Sequence, residues 1–371
     1  MIYSLTIIIG IYGLIMVFYA FQFKKSKCFK CCKTKPRTRF SIIIPFRNEA
    51  NHLNSLLEHL KNLDYPHPLF EVLLVNDHSE DNSLEICQAF IKKHKLKNFQ
   101  VYQNQNLSKS PKKSAVLSAL PFAKFDYILC TDADCIVPKN WLKAYNQKLS
   151  EQPFDFVAAP VYIQSRKGFW NNFQTLDLVC LQIIGLGSFV PKHFLMCNAA
   201  NMCLKKETLI TLNALEQHKD IVSGDDIFTL EQFRLAKTNM TTLVHQDAVV
   251  KTFSEEGFQA LSEQRVRWAS KSKYYKNPYL IILGILVLFT NLYLVLIIPF
   301  VIFKPEIFGL SWFAKMAIDS FVLFIGYSFF QQKIKLSTYM LTLFVYPFVT
   351  TYFGLKSLKG KFSWKGRDHS V

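Results

Sequence analysis

The chain has 371 residues, half of them hydrophobic, and carries 44 lysines and arginines against 27 aspartates and glutamates, a net charge of +17. Such a cationic excess would suit a polyanion, but the basic clusters border apolar runs, which argues against a nucleic-acid partner and for a membrane surface. The nine cysteines do not form a disulfide scaffold, since six of them (Cys87, Cys130, Cys135, Cys180, Cys197 and Cys203) fall in a part of the chain expected to be cytoplasmic, where thiols stay reduced.

Residues 1 to 23 contain no charged side chain, and the runs 277 to 303 and 336 to 355 are equally free of charge. Each is long enough to cross a hydrocarbon core as a helix. A fourth stretch, 307 to 330, is apolar apart from Lys315 and Asp319, whose spacing puts them on one helix face where they can pair. The first run reads as a retained anchor rather than a signal peptide. No basic residue precedes it, it exceeds the usual apolar core, and its basic cluster follows it. Eight basic and no acidic residues lie between Lys24 and Arg39, and Lys271, Lys273 and Lys276 precede the second run. The positive-inside rule then puts the middle of the chain in the cytoplasm, beneath the cell membrane. Three full crossings after residue 276 would carry Lys356, Lys359, Lys361, Lys365 and Arg367 outside, against that rule. The stretch 307 to 330 is therefore expected to lie partly in the interface or to re-enter. Cys28, Cys31 and Cys32 lack a second ligand pair at zinc spacing and read as juxtamembrane residues.

The expected organisation is an anchor at 1–23, a basic juxtamembrane linker at 24–38, a cytoplasmic domain at 39–276, transmembrane or interfacial helices at 277–355 and a basic tail at 356–371. Within the cytoplasmic domain, Phe40 to Phe46 reads as a buried strand, Glu49 to Asn62 as a helix with leucines at 53, 56, 57 and 60, and Phe70 to Asn76 as a second strand. Ser83 to His94 is helical, Phe99 to Tyr102 a short strand, Lys112 to Ala123 a helix and Asp126 to Cys130 a strand. This alternation implies an α/β fold with a mostly parallel sheet and right-handed crossovers.

Ligands of such sheets sit at the carboxyl ends of the strands. Arg47, Asn48 and Glu49 follow the first expected strand, Asp77 the second, and Asp132 and Asp134 the fourth. Asp and Asn are common in turns, so each alone is weak, but the series converges on one edge. Asp132 and Asp134, two residues apart, can point to one side and share a divalent cation; hard oxygen ligands favour Mg2+ or Mn2+ bound together with substrate phosphates. Asp225 and Asp226 open an expected helix, Ile227 to Leu235, where one carboxylate would serve as a cap. Two exceed that need, and one facing a sugar can act as general base. Gln264, Arg265, Arg267 and Trp268 read as one side of a helix running toward the membrane. Arginine suits bidentate contact with phosphate and the indole offers a flat face to a sugar ring, while an interfacial helix would use the same residues.

This order of motifs resembles the membrane-bound family 2 glycosyltransferases, which include cellulose, hyaluronan and poly-N-acetylglucosamine synthases and ceramide glucosyltransferases. The resemblance covers about residues 38 to 276 and implies a GT-A (Rossmann-like) fold with N- and C-terminal transmembrane helices. Phe40 through Glu49 matches that family's opening strand with its Pro-x-x-Asn-Glu ending, which implies that Pro45, Arg47, Asn48 and Glu49 line the nucleotide pocket. Val75 through Asp81 is similar to the family's Asp-Asp-x-Ser-x-Asp, so Asp77 would contact the base; Asn76 replaces the more frequent first acid. Lys113 looks like the family lysine near the nucleotide, with Lys112 an equally fair alignment. The resemblance further implies Asp132 on sugar or ribose, Asp134 on the metal, Asp226 as base beside Asp225, Asn198 and Asn201 on the acceptor side, and Gln264 to Trp268 as the Gln-x-x-Arg-Trp diphosphate and acceptor motif. Trp364 to Arg367 is a weaker match to a recurrent ending.

The expectation is an inverting, metal-dependent glycosyltransferase that moves a sugar from a nucleotide-sugar donor, UDP-linked, to a lipid or glycan acceptor hydroxyl at the membrane. A processive polysaccharide synthase of the same family is one alternative, and a non-catalytic nucleotide-sugar-binding membrane protein another.

Overall fold

The computed structural model describes residues 2–26, 34–164, 167–216, 221, 223–332, 335–358, 361–364 and 367–370. Cys28, Cys31 and Cys32 lie outside them, as do Lys365 and Gly366 of the tail match.

In chain order, helix α1 (Ile2–Lys25) precedes strand β1 (Phe40–Phe46), α2 (Ala50–Lys61), β2 (Phe70–Asn76), α3 (Ser83–His94), β3 (Phe99–Gln103), α4 (Pro111–Ala119) and β4 (Tyr127–Cys130). Then come α5 (Trp141–Glu151), β5 (Phe156–Ala158), β6 (Val161–Ile163), α6 (Phe169–Gly187), β7 (Met202–Lys205), α7 (Lys206–Thr211), α8 (Asp225–Leu235), β8 (Met240–Thr242) and β9 (Val250–Thr252). The last elements are α9 (Gly257–Ser270), α10 (Pro278–Leu296), α11 (Pro305–Phe330), α12 (Leu336–Ser357) and a hairpin of β10 (Lys361–Trp364) and β11 (Arg367–Ser370). The chain divides into two compact units, one of residues 26–162 and 196–253, the other of residues 1–25, 163–195 and 254–371.

The first unit is built on a seven-stranded sheet in the order β3-β2-β1-β4-β7-β5-β8. Only β7 runs against its neighbours, so six strands share one direction and the sheet is mostly parallel, as expected. Strand β1 is buried at every position but Pro45, and β2 throughout, which is why both read as continuous apolar runs. On α2, Leu53, Leu56, Leu57 and Leu60 recur at helical spacing and are wholly buried. The expected helix from Lys112 to Ala123 is shorter. It stops at Ala119 and continues as a 3-10 turn, Leu120–Phe122, because Pro121 has no N–H to donate and clashes with the preceding turn. From β1 the chain builds outward through β2 and β3, then crosses to β4 on the other side of β1. That reversal is the switch point at which α/β sheets receive ligands.

The second unit is a helical assembly of α1, α6, α9, α10, α11 and α12. Three of its helices, over Ile7–Lys25, Pro278–Phe300 and Pro305–Phe330, are long and apolar enough to cross a membrane. The expected span at 336 to 355 does form α12, but α12 does not reach that apolarity. Stretch 307 to 330 lies within one uninterrupted helix. Lys315 and Asp319 pair along it at 2.5 Å, as their spacing predicts, and the Tyr12 hydroxyl donates to Asp319 at 2.6 Å. Helix α6, covered by none of the expected elements, packs closely on α1: a Cβ at Gly187 would stand 2.2 Å from the Tyr19 carbonyl oxygen. An apolar cluster of Phe173, Leu261, Val349 and Phe353 joins α6, α9 and α12.

Candidate active site

In the sheet unit, the loop after β1 is stitched to the loop after β2. Arg47 Nη1 donates to the carbonyls of Asp77 and His78 at 2.9 and 2.6 Å, and its Nη2 pairs with Glu80 at 2.7 Å. Asn48 sits in the left-handed region at φ 52°, which asparagine tolerates, and its side-chain oxygen accepts from the Glu80 N–H at 2.8 Å. The Glu49 N–H donates to the Ser83 hydroxyl at 2.8 Å, while its carboxylate contacts His52 at 3.0 Å. Pro45, level with Val75 of β2, is half-buried. Arg47, Asn48 and Asp77 are thus held together at the carboxyl edge of neighbouring strands.

Asp77 is 5% exposed and accepts from Asn104 Nδ2 at 2.5 Å; Asn104 in turn accepts from the Ser114 hydroxyl at 2.5 Å. Sequence reasoning missed Asn104. It directly follows β3, the same strand-end position that singled out Asp77.

Of the two adjacent lysines, Lys112 lies among the carboxylates. Its ammonium contacts Asp132 Oδ1 and lies 3.5 Å from Asp225 Oδ2, so it bridges the end of β4 and the start of α8. Burial alone would lower its pKa, but Asp132, Asp225 and Asp226 overcome this and hold it well above the usual lysine range. Lys113 is 1% exposed; its ammonium donates to the Ile221 carbonyl at 3.4 Å and lies over the Phe228 ring. Lys112 is thus the lysine set against the carboxylates, while Lys113, one position on, reaches the Ile221 carbonyl and the Phe228 ring of the same segment.

Gly224 precedes α8 at φ +80°, a conformation that glycine adopts without strain, and no side chain caps the helix. Asp225 and Asp226 therefore lie inside its first turn, where the dipole favours their charge. Asp226 Oδ1 accepts from the Ile227 N–H at 2.7 Å. Asp134 accepts from the Thr252 hydroxyl at 3.3 Å. The carboxylates of Asp132 and Asp134 are a hard donor set that suits Mg2+ or Mn2+. Among the described residues no three His, Cys, Asp or Glu side chains are grouped as a metal cage. Cys130, just before this cluster, has its thiol pushed up to about 12, chiefly by burial, which keeps it protonated.

Asn198 caps the short turn Ala199–Asn201 by accepting from the Ala200 N–H at 2.9 Å. Asn201 is wholly buried. Its oxygen accepts from Trp141 and Tyr145, and its amide donates to the carbonyls of Pro160 and Ala248. With every bonding position spent inside the core, it has none left for an acceptor, and that expectation is corrected.

In the helical unit, α9 carries Gln264, Arg265, Arg267 and Trp268 on one helix, as expected. Arg265 lies over the Trp268 ring at 4.2 Å and donates to Gln264 Oε1 at 2.8 Å. The guanidinium also pairs with Asp177 of α6 at 2.7 Å.

The chain is 24% identical over 234 residues to a poly-beta-1,6-N-acetyl-D-glucosamine synthase of Staphylococcus epidermidis, covering 62% of this chain and 53% of that one. It is 32% identical over 208 residues to the poly(ribitol-phosphate) beta-N-acetylglucosaminyltransferase TarS of Staphylococcus aureus, covering 55% and 32%. A 122-residue match to the glycosyltransferase GlyG of Streptococcus pneumoniae is 31% identical, covering 33% and 38%. The chain thus spans about a third to a half of the length of these relatives. Among solved structures, the mannosyltransferase PcManGT of Pyrobaculum calidifontis, in complex with GDP-Man and Mn2+, shares the fold with a TM-score of 0.53 at 16% identity over 96% of this chain and 99% of that one. The model of glycosyl transferase family 2 matches residues 41–205, and that of glycosyl transferase family group 2 matches residues 127–354. Together they run through the strand ends that bear the carboxylates and the helix that bears Gln264 to Trp268, and on that continuity the chain belongs to glycosyl transferase family 2.

Proposed function

We propose that this chain is an inverting glycosyltransferase that moves a sugar from a nucleotide diphosphate, most simply UDP, to a hydroxyl of a lipid or glycan at the cytoplasmic face of a membrane. The observation that carries the reading is Lys112 held between Asp132 and Asp225 beside the sheet's switch point. Carboxylates gathered at that place call for cations, and a divalent metal arriving with an anionic diphosphate would supply one. Pro45, Arg47, Asn48, Glu49 and Asp77 would receive the nucleoside, with Asn104 orienting Asp77. Asp132 and Asp134 would hold Mg2+ or Mn2+, which when bound offsets charge on the diphosphate.

Asp226 takes the proton from the acceptor hydroxyl as that oxygen bonds the anomeric carbon and the bond to the diphosphate oxygen breaks. A single displacement inverts the centre and needs no covalent nucleophile. Asp226 suits the base role better than Asp225, whose carboxylate faces the Lys112 ammonium. Gln264, Arg267 and Trp268 would serve the diphosphate and the acceptor, and Asn198 the acceptor side.

Two crossings by α10 and α11 return the chain to the side from which it left. Lys356, at the end of α12, donates to Ser262 of α9 at 2.9 Å. With α12 lying on the cytoplasmic face, the basic tail satisfies the positive-inside rule. Cysteine labelling near the C-terminus in sealed vesicles tests this; a tail that labels only from outside contradicts it.

Mass spectrometry of lipids and glycans from cells with the active chain and with Asp226→Asn tests the reaction. A hexose-extended product is expected with the former alone, from protein that binds UDP equally in both forms. Equal product from the variant removes Asp226 as base, and a long ladder from purified protein replaces short transfer by polymer synthesis.

A further inference from the structure

Two polar residues of α6, Gln174 and Asp177, are 0% and 7% exposed and three positions apart, on one helix face. Both serve α9. Gln174 Nε2 donates to the Glu255 carbonyl and its Oε1 accepts from the Glu255 N–H, each at 2.9 Å, just ahead of the helix start. The Glu255 carboxylate accepts from Gln264 Nε2 at 2.9 Å. Further along, one Asp177 oxygen stands 2.7 Å from Arg265 Nη2, an ion-pair contact without hydrogen-bond alignment, and the other accepts from the Tyr346 hydroxyl of α12 at 2.9 Å. Arg265 passes this on, with one arm donating to Gln264 and its plane lying over Trp268. The carboxylate and guanidinium side chains are each 9% exposed.

A buried ion pair is weak as a source of net stability, because desolvation consumes most of the attraction; its best use is to fix geometry. The planar fork of arginine suits that use, since it can pair with a carboxylate, donate to an amide and stack on an indole at once. We infer that Asp177 is a positioning residue: with Gln174 and Tyr346 it fixes Arg265, and through Arg265 it holds the Gln264 amide and the Trp268 indole in the arrangement that meets substrate. This rests on the proposed reading of Gln264 and Trp268 as diphosphate and acceptor residues.

The test uses full-length protein in detergent and two readouts. Tryptophan fluorescence without substrate isolates Trp268 as the difference between each protein and its Trp268→Phe partner. Asp177→Asn and Arg265→Lys are expected to red-shift that component and raise its quenching by acrylamide, and Tyr346→Phe to do so less. In transfer assays corrected for folded protein, Asp177→Asn and Arg265→Lys are expected to lower kcat about tenfold or more with the donor KM nearly unchanged, as for misplaced rather than missing contacts. Should Asp177→Asn fail to fold, Arg265→Lys carries the test, since it preserves the charge facing Asp177 and removes the planar fork. An unchanged Trp268 component in the folded variants overturns the inference, and so does a shifted component with full kcat. A wild type inert toward every nucleotide sugar instead fells the proposed function, while the fluorescence still judges the hold on Trp268.

Discussion

In the sheet unit, Lys112 faces two carboxylates whose side chains are 35% and 15% exposed, with Asp134 and Asp226 following them in sequence. In the helical unit, Arg265 and Asp177 are each 9% exposed, and Lys315 is wholly buried against Asp319. The first arrangement leaves charge where an incoming ligand can reach it. The second matches one cation to one anion inside packed helices, where a ligand would gain little by exchanging partners. Nearness of opposite charges is common to both, and solvent access separates a site from a pin.

Isosteric Asp→Asn replacements sharpen that contrast most. Asp226→Asn is expected to lower transfer about 10²- to 10⁴-fold, the usual worth of a general base, and to cost no more than about 1 kcal/mol of stability through the lost dipole contact. Asp177→Asn leaves a buried guanidinium without its counter-ion and is expected to cost about 3 to 5 kcal/mol of stability, read as a lower Tm in detergent. Equal losses of Tm in the two variants would erase the distinction. A smaller effect comes from Lys112→Met, which leaves Asp132 and Asp225 confronting each other across a half-open site. A loss on the order of 1 to 3 kcal/mol is expected, between exposed and buried pairs. Added Mg2+ should restore the Tm of that variant and barely move the wild type. If Mg2+ does not rescue it, the carboxylates are no cation site, and the two units are alike after all. Smallest is Asn104→Ala, which takes one donor from Asp77. Loss of about 1 kcal/mol in nucleotide affinity is expected by calorimetry, and full affinity would show that Asn104 does not orient Asp77 for the base.

Strands β1 and β2 and helix α3 begin and end where their residues say they should. Each is an apolar pattern closed off by polar neighbours such as Arg47, Asp77 and Asn82, so local periodicity suffices. The Lys315 and Asp319 pair was legible for the same reason, being four residues apart on one helix. Helix α4 was overextended, because Pro121 ends the regular hydrogen bonding while the apolar pattern runs on. Choosing between Lys112 and Lys113 was beyond any local pattern, since both residues occupy the same turn and differ only in what lies across from them.

From its sequence alone this chain declares a parallel α/β core, apolar runs bounded by positive charge, and acids at successive strand ends, because each of these is written within a dozen neighbouring residues. Tertiary structure alone decided that Asn201 belongs to the core, that Lys112 is the lysine among the carboxylates, and that Arg265 pairs with Asp177, itself bonded to Tyr346. The last two lie 169 residues apart. Partnerships at that separation depend on how helices pack rather than on what any one helix prefers, and only folding reveals them.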